Sequence, residues 1–165
     1  MDMVIRAALP AEYAELGEIT AQAYLADGHL DENENDDYLS VLRDVAGRAA
    51  LAEVLVAERD GRILGGVTFA EPGSTLADIA APDEAEFRML AVAREGRGQG
   101  AGEALVRACL DRARAIEGVS AMVLSTQRSM AGAHRIYSRL GFERTPERDW
   151  APVEGLTLLT YRLKL

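Results

Sequence analysis

The sequence predicts a mixed α+β fold in which helices pack on a sheet. Strand-like and helix-like segments follow one another in the order β-α-α-β-β-β-α-β-α-β-β, which is not a regular βαβ ladder. Two β-rich runs flank Asp60-Gly61, a dipeptide that favours a tight hairpin turn. The chain has 165 residues, of which 48% are apolar and 27% charged, and this mixture is typical of globular proteins. We therefore expect a single domain over residues 1–165.

The first third of the chain is predicted to form one strand and two helices. The strand covers residues 3–9, and Pro10 suits the first turn of the helix that follows it. Residues 27–37 contain six acidic and no basic side chains, so they are predicted to form a loop. The second helix would carry an apolar face made of Tyr38, Val41, Leu42, Val45 and Ala49.

The remaining segments complete the sheet and add two helices. A helix that opens at the glycine-rich run 96–102 has apolar side chains at i, i+3, i+4 and i+7, and Gly118 would end it. A last helix, over residues 130–140, would end at Gly141. The strands are predicted at 53–59, 62–70, 85–92, 121–125 and 156–163, with extended chain from Phe142.

Composition excludes several classes of protein. Eighteen basic and 27 acidic residues give a formal net charge of −9, which argues against a nucleic-acid binder. No apolar run is long enough to span a membrane, and the N-terminus lacks the layout of a secretory signal. Cys109 is the only cysteine, so neither an internal disulfide nor a cysteine metal cage can form. We expect a cytoplasmic protein.

A run with glycine at every second position from Gly96 to Gly102 joins a strand to a helix. Such a run exposes backbone N–H groups at the positive end of the helix dipole, where an anion can bind. A P-loop is excluded because no Gly-Lys-Ser/Thr follows. A dinucleotide fingerprint is met only formally, because the acidic residue expected after the next strand is absent. A turn that merely lets strand and helix pack closely is the remaining alternative.

A third pattern, Arg/Gln-x-x-Gly-x-Gly/Ala, is met by Arg97, Gly100 and Gly102. The strand-like run 85–92 precedes it, and residues 133–142 follow with the pattern Ala-x-x-hydrophobic-Tyr-x-x-x-Gly-Phe. With both motifs in this order, the chain resembles the GNAT superfamily of N-acetyltransferases over residues 4–163. The resemblance implies an α/β/α sandwich around a mixed, mostly antiparallel, splayed sheet of six or seven strands with about four helices.

The resemblance also implies acetyl-CoA as cosubstrate and no metal. The pyrophosphate would lie on backbone amides of the glycine run, and the pantetheine arm would pair with the β-strand that precedes it. At Met130 many members of the superfamily have an asparagine that contacts this arm, so one polar contact is missing. The cofactor-binding residues implied are Leu90, Val92, Arg97, Gly98, Gln99, Gly100, Ala101 and Gly102.

Acyl transfer to an amine needs a base for the amine proton, a donor to the oxyanion and an acid for the leaving thiolate. By resemblance Tyr137 is the general acid, Glu86 the base acting through water, and the Leu90 amide an oxyanion donor. From the residues alone, Tyr137 could instead be a packing residue, and Glu86 an ordinary solvated strand residue or a partner of Arg88. Because the only thiol, on Cys109, is expected in the core, direct attack through a tetrahedral intermediate is predicted rather than an acyl-enzyme.

The acceptor is predicted only by class. The acidic segment 27–37 would attract a cationic amine, so a small-molecule amine or a basic peptide or protein amine suits it, or its charge is merely solvated. The two histidines, His29 and His134, are expected at the surface. Neither a nucleic acid nor a membrane is expected as partner, and the resemblance allows a homodimer. The alternative function is a non-catalytic acyl-CoA sensor.

Overall fold

The structure is a computed structural model that describes residues 2–26 and 36–165. Five α-helices and eight strands are present in these ranges, together with short 3-10 turns. The helices are α1 (Tyr13–Ala26), α2 (Asp36–Arg43), α3 (Val45–Leu51), α4 (Ala101–Arg114) and α5 (Ala131–Leu140). The strands are β1 (Val4–Ala7), β2 (Glu53–Arg59), β3 (Arg62–Ala70), β4 (Glu84–Val92), β5 (Ala121–Thr126), β6 (Glu143–Arg144), β7 (Trp150–Val153) and β8 (Leu156–Lys164).

The strands form a mixed, mostly antiparallel sheet in the order β1-β2-β3-β4-β5-β8-β6, with β7 paired to β8. Of the pairs among the described strands, β4–β5 is parallel and the others are antiparallel. The predicted α+β class is therefore confirmed. The sheet has one strand more than the six or seven predicted.

The central hairpin forms as predicted. Asp60 and Gly61 both have positive φ, 54° and 79°, which is the type I′ geometry that matches the twist of the flanking strands β2 and β3. The inner residues of both strands are buried and, apart from Thr68, carry no polar side chain, so the hairpin supplies two central strands of the sheet.

The structure corrects the predictions for the second helix, for the number of strands and for the acidic loop. The second helix is interrupted at Asp44, whose side chain accepts a hydrogen bond from the Gly47 N–H at 3.0 Å and caps α3. Val41 is consequently 49% exposed and does not share one apolar face with Val45. Strand β7 was not predicted because it is short and carries Pro152, which usually argues against a strand. Residues 27–35 of the predicted acidic loop lie outside the described residues, whereas Asp36 and Asp37, which were expected in the loop, begin α2.

Helices cover both faces of the sheet. On one face α4 and α5 enclose the largest core cluster, which includes Phe69, Phe87, Leu105 and Cys109. On the other face α1 and α3 pack on β2 and β3 through smaller clusters. Side chains alternate between the faces along each strand, so neighbours in β4 belong to different layers.

The sheet opens between β4 and β5. The two strands pair from Glu84 opposite Ala121 to Glu86 opposite Val123, and their pairing ends there although β4 continues to Val92. Beyond this point β4 contains a bulge, because the single residue Val67 of β3 faces two residues of β4. One of those two, Met89, has φ of 56°. The splay and the bulge together open a cleft between β4 and β5 beyond Glu86.

Candidate active site

A groove of about 680 Å³ occupies the opening between the two strands. Residues 90–92 of β4 form one wall, and residues 129–133 with Ile136 form the opposite wall. The floor is the turn from Gly96 into the first residues of α4. The groove therefore joins the edge of a β-strand to a helix N-terminus, which is the arrangement that the sequence motifs predict.

The glycine-rich turn aims the N-terminus of α4 at the groove. Gly98 and Gly100 have φ of 77° and 83°, a conformation that disfavours any other residue. Gly100 is the N-cap of α4, and no side chain caps its first N–H groups. A 14-residue helix carries a partial positive charge at this end. The turn can therefore hold an anion such as a diphosphate.

Not every amide of the turn faces the groove. The Arg97 N–H donates to the Arg94 carbonyl at 3.3 Å, and the Gln99 N–H donates to the Gly96 carbonyl at 3.4 Å. Gln99 is also absent from the lining of the groove, and its side chain accepts from Arg59 and donates to the Glu95 carbonyl. Of the cofactor residues that the sequence indicates, Gln99 is thus placed to brace the turn rather than to face a ligand.

A second, smaller cavity of about 60 Å³ lies beside the groove. Its polar lining includes the carboxylates of Asp78 and Glu86 and the guanidinium of Arg88. Arg88 is held by Asp78 at 3.3 Å and by the Leu76 carbonyl at 3.2 Å. Tyr24 and Met130 line both the groove and this cavity, so the two spaces meet at these side chains.

Glu86 is fully buried in the wall of the smaller cavity. Its Oε1 accepts hydrogen bonds from the N–H groups of Ile79 at 2.9 Å and Ala80 at 3.0 Å. Its Oε2 is buried and has no hydrogen-bond partner among the described residues. Burial raises the pKa of the Glu86 carboxyl, although the backbone amides of Ile79, Ala80 and Asp78 act in the opposite direction. The side chain is therefore a carboxylate that takes up a proton more readily than an exposed glutamate.

Tyr137 lies on the other face of the sheet from Glu86. It is 4% exposed, and its ring packs against Phe87, Phe142 and Tyr161 with centroids 5.6 to 5.9 Å apart. Burial raises the pKa of its phenol, so the hydroxyl stays protonated. Within the described chain it lines neither the groove nor the smaller cavity. The fold thus brings Tyr137 to Phe87, the neighbour of Glu86 in β4, and not to Glu86 itself.

The structure also places two tyrosines that the sequence did not single out as site residues, and it corrects the surface position expected for His134. Tyr24 and Tyr38 meet edge to face with centroids 6.1 Å apart and line the smaller cavity. In the sequence both belong to helical apolar patterns, which gives no signal beyond packing. His134 is half-buried, and its Nε2 lies 3.0 Å from the Gln127 carbonyl oxygen, so it links α5 to the end of β5.

The described residues carry neither a metal-binding cluster nor a membrane-spanning helix. In the ranges 2–26 and 36–165, no group of three or more His, Cys, Asp or Glu side chains could hold a metal ion. No helix in the same ranges has the length and hydropathy of a transmembrane span. Cys109 is buried, and burial raises the pKa of its thiol, so it remains protonated.

The sequence profile of the acetyltransferase (GNAT) family matches residues 13–142. The chain belongs to this family. The family prediction and the prediction of an acetyl-CoA-dependent N-acetyltransferase are confirmed. The profile ends at Phe142, so it includes both the glycine turn and the Tyr137 motif of this GNAT protein. No curated protein sequence matches the chain significantly.

Solved structures resemble this GNAT protein over almost its whole length. YncA of Salmonella typhimurium, solved with its cofactor acetyl-CoA, is 27% identical, with a TM-score of 0.71 over 99% of this chain and 94% of that one. PaiA N-acetyltransferase of Thermoplasma acidophilum, solved with coenzyme A, is 16% identical, with a TM-score of 0.75 over 100% of both chains. Ribosomal-protein-alanine N-acetyltransferase of Brucella melitensis is 23% identical, with a TM-score of 0.64 over 98% and 99% of the chains.

Proposed function

We propose that this protein transfers the acetyl group of acetyl-CoA directly to an amine acceptor, with the cosubstrate in the groove between β4 and β5. The observation that carries the proposal is the continuity of this groove. It runs from the β4 edge, where pairing with β5 has ended, to the uncapped N-terminus of α4. A cosubstrate that carries a thioester at one end of an extended arm and a diphosphate at the other needs a free strand edge for the arm and, beyond it, a helix N-terminus for the diphosphate.

The proposed placement follows from the hydrogen-bonding groups that face the groove. The diphosphate lies on the amides of Gly98 and of residues 100–102, with the Arg97 side chain also lining this end. The pantetheine arm runs along Leu90 and Val92 as an added strand would. Loss of pairing to β5 supports this, because the β5-facing edge of β4 beyond Glu86 is where such an arm would bind.

Glu86 is proposed as the base, through a water molecule. A free alkyl amine has a pKa of about 10, so it must lose a proton before or during its attack on the thioester carbon. The Oε2 of Glu86 has no partner among the described residues and borders a cavity that adjoins the groove, so it can accept that proton. Its raised pKa brings its basicity closer to what neutral pH requires.

In the second half of the reaction the C–S bond breaks, and the thiolate takes a proton. Tyr137 is proposed as the donor on the strength of its sequence motif and of its ring packing against Phe87 in β4, close to the start of the splay. Burial raises the pKa of its phenol, so this role requires that the bound cosubstrate stabilises the phenolate as the proton moves to the thiolate. The Leu90 N–H is proposed to donate to the oxyanion of the tetrahedral intermediate, since Leu90 lines the groove beside the bulge.

The acceptor is proposed to be an amine that enters through the smaller cavity. Two carboxylates and two phenol rings line that cavity, and both kinds of group bind an alkylammonium ion. Because Arg88 pairs with Asp78, the Glu86 carboxylate and the phenol rings are the groups left to receive the amine. A small-molecule amine, or a peptide or protein amine, reaches Glu86 from this side.

The test has two stages. Acetyl-CoA is expected to raise the melting temperature whereas NAD is not, because only the former matches the groove. A panel of primary amines is then screened with acetyl-CoA, with thiol release as the readout. Failure of acetyl-CoA to bind would refute the proposal. Binding without thiol release for any amine would instead support a non-catalytic acyl-CoA sensor.

A further inference from the structure

We infer that Tyr24 and Met130 limit the acyl group to two carbons. The inference rests on the proposed position of the cosubstrate in the groove. These two side chains line both the groove and the smaller cavity, so they border the passage between the two spaces. The thioester must lie at this passage for its carbonyl carbon to meet an amine from the smaller cavity. An acyl chain longer than acetyl would have to displace one of the two side chains or pass between them.

Met130 is held in place on several sides. Its sulfur accepts a hydrogen bond from the Thr126 hydroxyl at 3.5 Å, and Thr126 is itself buried at the end of β5. Its N–H donates to the Gln127 carbonyl at 3.0 Å, and its carbonyl accepts from the His134 N–H at 3.1 Å. The thioether is therefore anchored both to β5 and to the first turn of α5.

Tyr24 forms an equally firm opposite wall. It is 8% exposed and packs in a cluster with Leu42 and Met89, to which Met130 also contributes. Its ring meets the Tyr38 ring edge to face. A close-packed wall of this kind yields to an extra methylene only at a cost in packing or strain.

The space beyond the passage also disfavours an alkyl chain. The smaller cavity of about 60 Å³ is lined by the ionisable side chains of Asp78, Glu86 and Arg88. Methylene groups placed there would lie against the charged side chains of Asp78, Glu86 and Arg88 without forming hydrogen bonds to them, which is unfavourable. Shape and polarity thus both select the acetyl group.

The experiment is a set of calorimetric dissociation constants for acetyl-, propionyl- and butyryl-CoA, which need no acceptor. For the wild type we expect butyryl-CoA to bind at least about 10-fold more weakly than acetyl-CoA, since one methylene in a tight pocket is worth about 10-fold or more. Met130→Ala removes one wall, so the acetyl and butyryl values should come within about threefold of each other. Met3→Ala is the matched control, because Met3 is a half-buried methionine that lines neither the groove nor the smaller cavity, and it should keep the wild-type preference.

The outcomes separate the two proposals. Equal binding of all three thioesters by the wild type would overturn the acyl-length inference and leave acetyl-CoA binding intact. The same holds if Met130→Ala is folded and keeps the full preference, or if Met3→Ala loses it. If Met130→Ala does not fold, Met130→Leu, which keeps the side-chain volume, must show the wild-type order. Absence of acetyl-CoA binding by the wild type would overturn the proposed function itself.

Discussion

Replacing Glu86 by glutamine tests the proposed base without changing the shape of the site. The glutamine oxygen can still accept from the Ile79 and Ala80 amides, which hold Oε1 of Glu86 at 2.9 and 3.0 Å. What is lost is the proton acceptor at Oε2. A positioned general base contributes about 10²- to 10⁴-fold, so kcat should fall by at least about 100-fold. The KM for acetyl-CoA should change little, because Glu86 does not line the groove.

The same substitution has a predicted effect on stability with the opposite sign. Burial raises the pKa of Glu86 in the folded protein, so the folded state binds this proton more tightly than the unfolded chain does. The contribution of Glu86 to the free energy of unfolding is therefore greatest below its unfolded pKa of about 4.3, and it falls as the pH rises through the pKa of Glu86 in the folded protein. Glu86→Gln removes this loss. The melting temperature of the variant should equal that of the wild type at about pH 4 and be equal or higher at about pH 8.

The assay is a pH series of thiol release for both proteins, with differential scanning calorimetry of the same samples. The wild-type rate should rise with pH as Glu86 ionises, with a midpoint above the ordinary glutamate value, and this rising limb should be absent in Glu86→Gln. An unchanged rate or an unchanged limb would exclude Glu86 as the base. A variant that melts well below the wild type at high pH would refute the argument from burial.

Three further predictions concern other parts of the molecule. Tyr137→Phe should lower kcat about tenfold or more with little change in acetyl-CoA affinity, and equal turnover would remove the phenol from the mechanism. Gly102→Val should weaken acetyl-CoA binding at least about tenfold by calorimetry, because a Cβ there lies 2.9 Å from Ile136 Cδ1 in the groove wall. Ala104→Val, a control in the same helix outside that lining, should leave the affinity unchanged. Glu84→Gln should lower the stability by about 3 kcal/mol and the melting temperature by roughly 6–12 °C, because the buried carboxylate accepts hydrogen bonds from Arg148 and Arg162. Burial opposes ionisation of Glu84, but these hydrogen bonds lower its pKa to about 2. Its contribution is therefore complete above the unfolded pKa of about 4.3 and disappears as pH falls toward 2, where wild type and variant should converge on thermal melts.

Local sequence chemistry was sufficient to predict most of the sheet and both ends of the groove. Asp60-Gly61 fixes its hairpin because both residues tolerate positive φ, and Gly141, with φ of 96°, ends α5 as predicted. The glycine turn is predictable for the same reason. In each case the conformation depends on residues adjacent in the chain.

Features that depend on long-range packing were not predictable. The cap at Asp44 competes with continuation of a helix, and the apolar periodicity does not show which alternative has the lower free energy. Tyr24 lines both the groove and the smaller cavity because α1 meets β4 and the start of α5. The apolar pattern of a single helix does not show such a contact. The side-chain contacts of Gln99 with Arg59 and Glu95 likewise arise only in the folded turn.

The central claim is that the opening between β4 and β5 holds the cosubstrate. A crystal structure of the protein grown with acetyl-CoA tests this claim most directly. We predict electron density for the diphosphate against the amides of Gly98 and residues 100–102, with the arm along Leu90 and Val92 and the acetyl group between Tyr24 and Met130. Density for the ligand at another surface, or an unoccupied opening at saturating acetyl-CoA, would contradict the account.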